Sequence, residues 1–536
     1  MNDQTRKDDH RNTSASDSSV RLAKKTKWVD GKKYFWMSVG VALFAIVYFC
    51  PSFPDAIDPE QKHFALSHQG KAALALFLLA ATWWVFEVVP IGVTSITIGA
   101  IQVLFLIRPA KVVIDVAEGV VKKEEIVTGS VLEQLSTAKV AFGDFMDPSV
   151  WFILGSITFG MVFSKTGLTK RMAYKMLVVV GERTSMIYLG CFVITAGLTL
   201  IMAHTAVAAT IYPLLMTVYA LYTDDDEPTK FGKGLFIGMA FVAGAGSIIT
   251  LLGAARGAVA IGFFREIVGR DISFFELTWY MLPVGVVMTI VLWLYCLVVF
   301  KPEKSTIPGL RERAKSLYAK LGRITRTEIV ALVIILGAIA VMSSRQFVPD
   351  WLGQHLHKSA VILSATILFF VFRILTLEDL EKIPWNIILL FGGAMSIGFC
   401  LWETGAAEWL AIQWLVLFEG APWLVFIMGV ALFMLVMTNL IMNVAAISIV
   451  LPVALVLAPY LGVAPEVILY ASLVTAGMPF LLLVGAAPNA IAYESRQFTS
   501  GEFFMYGIPA SFVLMIVLTF FVWLIWPLMG MPILSQ

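Results

Sequence analysis

Eleven apolar runs, each long enough to cross about 30 Å of hydrocarbon, punctuate this chain and decide most of what it can become. The first is Phe35 to Cys50, and the others lie near 72–89, 90–108, 150–165, 235–263, 281–300, 328–345, 359–375, 384–402, 466–490 and 508–530. Water cannot solvate so many such segments, and the charge content agrees. Of 536 residues, 59% are hydrophobic and only 14% charged, against roughly a quarter charged in soluble chains. That is too few to coat several soluble domains but enough for the loops of a bundle whose outside is lipid. In lipid each backbone polar group must be satisfied inside its own segment, so helices are expected. The fold class is therefore an all-α, multi-pass integral membrane protein. A net charge of +2 lacks the basic surplus of a nucleic-acid binder. Cys50, Cys191, Cys296 and Cys400 stand far apart without CxxC pairing, and read as small buried residues rather than a disulfide frame or zinc site.

Two further apolar stretches, 186–220 and 421–459, are too long for one span. Each carries a polar residue, a run of small residues and a proline near its middle. Lysine and arginine choose between topologies, because cytoplasmic loops are enriched in them. If the N-terminal tail is inside and both long stretches are re-entrant hairpins, the inside segments collect most of the basic residues. The tail has nine, Lys165 to Arg183 five, and Lys301 to Arg326 eight. Treating either hairpin as a full span spoils this asymmetry. The expected organisation is a disordered cytoplasmic tail (1–33), a first half (34–300) with hairpin 186–220, a cytoplasmic linker (301–327), and a second half (328–536) with hairpin 421–459. The run after the tail has no small-residue cleavage site and reads as a span, not a signal peptide.

The halves repeat at about 238 residues. Gly155, Gly160, Thr166 and Gly167 are matched in spacing by Gly393, Gly398, Thr404 and Gly405. Thr199, His204 and Pro213 are matched by Thr438, Asn443 and Pro452, and Gly253-Ala254-Ala255-Arg256-Gly257 by Gly485-Ala486-Ala487-Pro488-Asn489. Four spans separate the first member of this series from its counterpart, so the copies run in opposite directions. An inverted repeat with interrupted helices is a recurring design of secondary transporters, which hold substrate where the broken helices meet.

These residues carry a family resemblance. Trp83-Trp84-Val85-Phe86-Glu87-Val88-Val89-Pro90 with Thr94, the paired glycine-rich spans Asp147 to Leu168 and Phe391 to Gly405, the segments Ala203 to Pro213 and Met442 to Pro452, and the two breaks at Gly253 and Gly485 are similar to motifs of the divalent anion:sodium symporter family, carriers of dicarboxylates, citrate and sulfate. The likeness runs from about residue 70 to 530. It implies a homodimer working as an elevator, in which each hairpin tip and facing helix break forms one sodium site and the anion bridges the tips. Carried over, the second sodium site is Thr438, Asn443 and Gly485, and the first is Thr199, His204 and Gly253. Substrate then meets His204, Thr205, Arg256, Asn443, Val444 and Ala486. At most one or two sodium ions and no organic cofactor are implied, and compact loops suit a bacterial inner membrane.

The departures gather at the site itself. The first tip has Ala203-His204-Thr205 where the family has Ser-Asn-Thr. The second keeps Asn443 but has Met442 and Val444 in place of flanking hydroxyls. Both breaks lose a threonine, to Ala254 and Ala486, and the first gains Arg256 where proline is expected. An arginine in mid-span costs at least about 2.5 kcal/mol on the insertion scale, so it should face a cavity or a partner. Arg256 can grip a carboxylate or sulfate through paired hydrogen bonds, and it supplies the positive charge that a first sodium would otherwise bring. His204 is a poor sodium ligand but can donate to an anion or carry a proton. Together they point to a first cation site altered or abolished. Proton coupling or anion exchange stays open beside sodium coupling, as does an arsenite-type permease on a related scaffold. An enzyme is disfavoured, because no HExxH, GxSxG or Walker lysine is present and His10, His63, His68, His355 and His357 lie in the tail or outside loops.

Overall fold

The computed structural model describes residues 31, 33–57, 62–108, 111–113, 133–135, 137–223, 227–353, 355–418 and 421–535. The expected disordered tail lies outside these residues except at 31 and 33, which are helical. The protein is helical nearly throughout. The described strands make two small antiparallel pairs, Ala56–Ile57 with His63–Phe64 and Lys111–Val113 with Glu133–Leu135.

Among the described residues seven helices are long and apolar enough to cross a membrane, namely Ala138–Thr166, Phe274–Val299, Arg326–Phe347, Trp385–Glu403, Trp423–Leu440, Asn443–Tyr460 and Ser500–Leu528. Shorter apolar helices follow the other expected runs, including Lys33–Phe49, Ile91–Leu104 and Lys358–Val371. The expected runs at 235–263 and 466–490 are each interrupted. The first becomes Lys230–Ser247 and Arg256–Val268, and the second becomes Pro465–Ala476 and the short helix Ala487–Tyr493. Likewise 186–220 is two helices, Thr184–Thr199 and His204–Ala220, and 421–459 is Trp423–Leu440 and Asn443–Tyr460. In both pairs the arms pack against each other across a link of a few residues.

The helix order of the first half recurs in the second, and local chemistry recurs with it. Helix Pro148–Thr166 starts on proline behind Asp147, whose carboxylate accepts from Ser149 N at 2.7 Å, a cap that satisfies one orphan donor. It ends at Gly167 with φ +84°, and Trp385–Glu403 ends at Thr404 followed by Gly405 with φ +74°. Both glycines occupy the left-handed region that other residues avoid, and each leads directly into a short helix, Leu168–Val180 or Ala406–Phe418. The halves interlock crosswise. Helix Pro148–Thr166 packs on Lys358–Val371 at Gly155, where a methyl would stand 2.7 Å from Ile362 Cγ2, and Trp385–Glu403 packs on Ile91–Leu104 at Gly393, against Ser95. Hydrogen bonds tie both crossings, Thr158 Oγ1 to Thr366 Oγ1 at 2.8 Å and Gln102 Nε2 to Ser396 Oγ at 2.9 Å.

Burial separates the interior from the rim. The apolar stretch of Asn443–Tyr460 is 83% buried, whereas those of Phe274–Val299, Arg326–Phe347 and Ser500–Leu528 are 33% buried. The rim helices thus expose apolar side chains, as a lipid solvent requires, and Asn443–Tyr460 with the broken helix Lys230–Ser247 belongs to the protected core.

Candidate functional site

Where a helix stops inside a bundle, its last carbonyls and first N–H groups lose their partners. Four such interruptions are linked by close contacts, each hairpin with the break of its own half and the two breaks with each other. At the first, residues 200–203 link the arms of the first hairpin, and His204 opens the second arm. Its backbone N donates to Gly253 O at 2.9 Å, and its ring Nδ1 lies 3.2 Å from the same oxygen. A carbonyl only accepts, so Nδ1 carries the proton. Gly253 sits so close to Thr199 that a methyl on it would stand 2.7 Å from Thr199 O and 2.6 Å from Ser247 O. Thr199, His204 and Gly253 are therefore brought together. The Thr199 hydroxyl is turned back onto Ala196 O at 2.6 Å, Thr250 Oγ1 donates to Leu200 O at 2.9 Å, and Thr205 is exposed.

The second half repeats the contact of break with hairpin, but among the described residues nothing matches the pair of His204 contacts to Gly253 O. A methyl on Gly485 would stand 3.1 Å from Thr438 O, the counterpart of the Gly253–Thr199 approach. Thr438 Oγ1 donates to Ala476 O at 3.1 Å and keeps its lone pairs. Asn443 opens helix Asn443–Tyr460; it is 9% exposed, and its amide has no hydrogen-bond partner among the described residues. Val444 is buried beside it, while Ala486 is half-buried on extended backbone (φ −152°, ψ 148°). The tips and breaks of the two halves are exchanged: Asn443–Tyr460 packs on Arg256–Val268, and His204–Ala220 packs on Ala487–Tyr493.

Arg256 lies between the two breaks. Only 2% of it is exposed. Nη2 donates to Ser247 Oγ at 2.8 Å, and Nη1 is buried without a partner. A methyl on Gly477, in the second break, would stand 2.7 Å from Nη2, so this glycine makes room for the guanidinium. With Thr250, Leu277 and Leu473 the arginine lines a cleft holding about one water molecule. No carboxylate pairs with it among the described residues. The guanidinium thus points toward Ser247 and the second break, although His204 remains within reach of its field.

Two asparagines hold the second break open: Asn439, which sequence reasoning passed over, and Asn489, which it named only as a position of the repeat. Asn439 Oδ1 accepts from Leu481 N at 2.8 Å and Leu482 N at 3.2 Å, while Asn489 Nδ2 donates to Pro479 O at 2.8 Å and Leu482 O at 3.1 Å. Both were visible as amides in apolar surroundings. A second polar centre, also unforeseen, stands at one end of the framework. Arg108 is buried between Asp144 and Glu403, with Nε 2.7 Å from Glu403 Oε2. Beside it Asp147 pairs with Arg265 at 2.8 Å, joining Pro148–Thr166 to the first broken helix. In the neighbouring loop, burial would raise the Asp271 carboxyl, but Lys358 and Arg345 outweigh it and hold the group below its ordinary range.

Comparison with known proteins fits this geometry. The profile of the family described as "Sodium:sulfate symporter transmembrane region" matches residues 32–532. A sodium-dependent dicarboxylate transporter, SdcS, of Staphylococcus saprophyticus is 24% identical over 488 residues, 87% of this chain and 88% of that one. SdcS of Staphylococcus aureus is 24% identical over 476 residues, 84% of this chain and 86% of that one. Among solved structures, Neisseria gonorrhoeae MtrF, assigned to a class of antimetabolite efflux pumps, aligns with a TM-score of 0.52 at 14% identity over 83% of this chain and 97% of its own, which is a likeness of fold alone.

Proposed function

We propose, from the premise that this chain belongs to the sodium:sulfate symporter family of divalent anion:sodium symporters, that it is a secondary active transporter of a small organic or inorganic anion driven by one sodium ion. The family and the relatives are transporters, not enzymes. Dicarboxylate-like anions, sulfate and sulfonates define the substrate range, and the SdcS relatives favour sodium as the driving ion. The observation that carries the single-sodium reading is the capture of Gly253 O by both nitrogens of His204. A sodium at the first tip would have to displace two donors from its best carbonyl and sit within the field of a buried, unpaired guanidinium. The first half-site does not fit a cation. The second does, with neutral oxygens on Thr438, Asn443 and the backbone around Gly485 suited to a hard ion.

In this reading the anion is received at the hairpin tips by Asn443, Val444, Thr205, His204 and Ala486, and Arg256 supplies from behind the charge that the missing first sodium would have brought. The hairpins re-enter from opposite faces, the two halves form an inverted repeat, and hairpins and broken helices move as one body against the framework in an elevator cycle. The protein is a homodimer of a bacterial inner membrane with its N-terminus in the cytoplasm. The interlocked halves and broken helices support the inverted repeat, the basic loops support the orientation, and the dimer and the bacterial inner membrane rest on the family likeness and the compact loops. A second reading, proton coupling, is favoured by the His204 tautomer: with Nδ1 fixed on Gly253 O, Nε2 is the nitrogen that takes up a proton. Uptake of labelled anion into proteoliposomes separates the two. Sodium dependence at constant pH is expected, and full uptake with potassium in place of sodium, driven by a pH gradient alone, would overturn the sodium reading.

A further inference from the structure

We infer that ion pairs at one face of the protein, Arg265 with Asp147 and Asp271 with Arg345 and Lys358, latch the hairpin-bearing body to the framework in one position of the transport cycle and part in the other. This rests on the elevator reading above and names the residues that position its step. In that reading the body comprises the two hairpins, the broken helices, Phe274–Val299 and Ser500–Phe520. The framework includes Pro148–Thr166, Leu168–Val180, Arg326–Ser344 and Lys358–Val371. Each charge of the latch sits where a helix begins or ends. Arg265, in the last turn of Arg256–Val268, donates at 2.8 Å to Asp147, the residue that caps Pro148–Thr166. Asp271 lies in the turn between Arg256–Val268 and Phe274–Val299. Its Oδ2 accepts from Arg345 at 3.0 Å and its Oδ1 from Lys358 Nζ at 2.7 Å. Arg345 follows Arg326–Ser344 and Lys358 opens Lys358–Val371, so both belong to the framework.

The placement of Lys358 depends on the body. It is 3% exposed at a helix start, where positive charge is disfavoured. Its side-chain partners among the described residues, Asp271 and Ile272 O at 3.2 Å, both come from the body. Ser273 Oγ adds a neutral contact across the same seam, donating to Gln346 Oε1 at 3.1 Å. The opposite face is arranged differently. Lys165–Asp379 and Arg171–Glu328 stay within the framework, and Lys233–Glu502 stays within the body. Among the described residues, the ion pairs that cross from body to framework are therefore confined to one face. Contacts of this length do not survive the sliding of one partner past the other. They favour the position seen in this structure, contribute nothing to the parted one, and so bias the equilibrium between the two. Water can take up the charges once they part, because a polar cleft of about 470 Å³ opens beside Arg265 and Asp147, lined also by Glu266, Trp402 and Glu403.

The test links body to framework chemically. Phe275 of the body and Phe347 of the framework have ring centres 5.2 Å apart. With Phe275→Cys and Phe347→Cys in the full chain in proteoliposomes, the rate of linking by a short bifunctional thiol reagent reports the latched position. Adding Asp271→Asn, which weakens the hold on both basic partners, is expected to slow linking about threefold. Arg345→Gln, at a partly exposed position that tolerates change, loses one partner and should slow it by less. Arg270→Gln is the control: it lies on the same face, but its pairs with Glu276 and Glu466 both stay inside the body, and linking should keep its rate. Unchanged linking in both Asp271→Asn and Arg345→Gln, or equal slowing in Arg270→Gln, would overturn the latch and leave the carrier reading intact. Anion uptake that continues at full rate after the two cysteines are linked would overturn the elevator reading together with the latch.

Discussion

The two half-sites share one backbone frame and differ in what fills it. In each, a glycine of a helix break is pressed against the carbonyl of a hairpin threonine, Gly253 on Thr199 and Gly485 on Thr438. In the first, His204 closes the frame by binding Gly253 O with its backbone and its ring. In the second, an amide at the corresponding place, Asn443, is left open. Repetition of fold therefore does not imply repetition of chemistry. In the reading proposed above, one side chain converts a ligand seat into an internal hydrogen bond, and a second, Arg256, reinforces the change with a positive charge that no acid among the described residues pairs. Burying a lone guanidinium costs several kcal/mol, which has physical sense where an anion arrives during the working cycle.

The contrast can be broken or sharpened by substitution. The largest effect is expected at the open site, where Asn443→Ala should reduce anion uptake about a hundredfold, while the matching His204→Ala, whose Nδ1 is held on Gly253 O, should reduce it by about tenfold at most. Initial rates in proteoliposomes at equal protein density check this. If His204→Ala abolished uptake instead, the histidine would be a working proton carrier and the second reading would prevail. A smaller effect is expected at Arg256. Arg256→Gln keeps the contact to Ser247 while removing the charge, and should weaken anion affinity about tenfold. It should not lower the melting temperature measured without anion, because an unpaired buried charge contributes nothing favourable to stability. A large fall in melting temperature with affinity unchanged would make Arg256 a structural residue.

Much of the frame was legible in the sequence because it depends on local rules. Hydropathy located apolar helices along most of the expected runs, seven of them among the described residues long enough to cross a membrane, whereas the breaks within 235–263 and 466–490 were suggested by the family resemblance and not by hydropathy, which read both as continuous. The paired Gly167 and Gly405 hold the same left-handed conformation at equivalent positions. Less visible were the short helices Leu168–Val180, Leu310–Lys320 and Ala406–Phe418, because a window tuned to spans does not register short helices between them. At the candidate site the sequence named residues and not their orientation. Thr199, His204 and Gly253 lie close together, and the Arg256 guanidinium turns toward Ser247 and Gly477, a choice set by the room that a glycine in the other half provides. The bonding roles of Asn439 and Asn489 were missed for a similar reason: their partners are backbone groups of an irregular segment, and no periodicity announces those.

The claim that the first half-site binds no cation is tested most directly by co-transport stoichiometry. Labelled sodium and labelled anion are followed together in the same proteoliposomes, at saturating anion and constant pH. About one sodium entering with each anion is the predicted result. A ratio of two or more, especially one that falls when Thr199 or Gly253 is altered, would show that a cation occupies the first seat and would contradict the difference drawn between the halves.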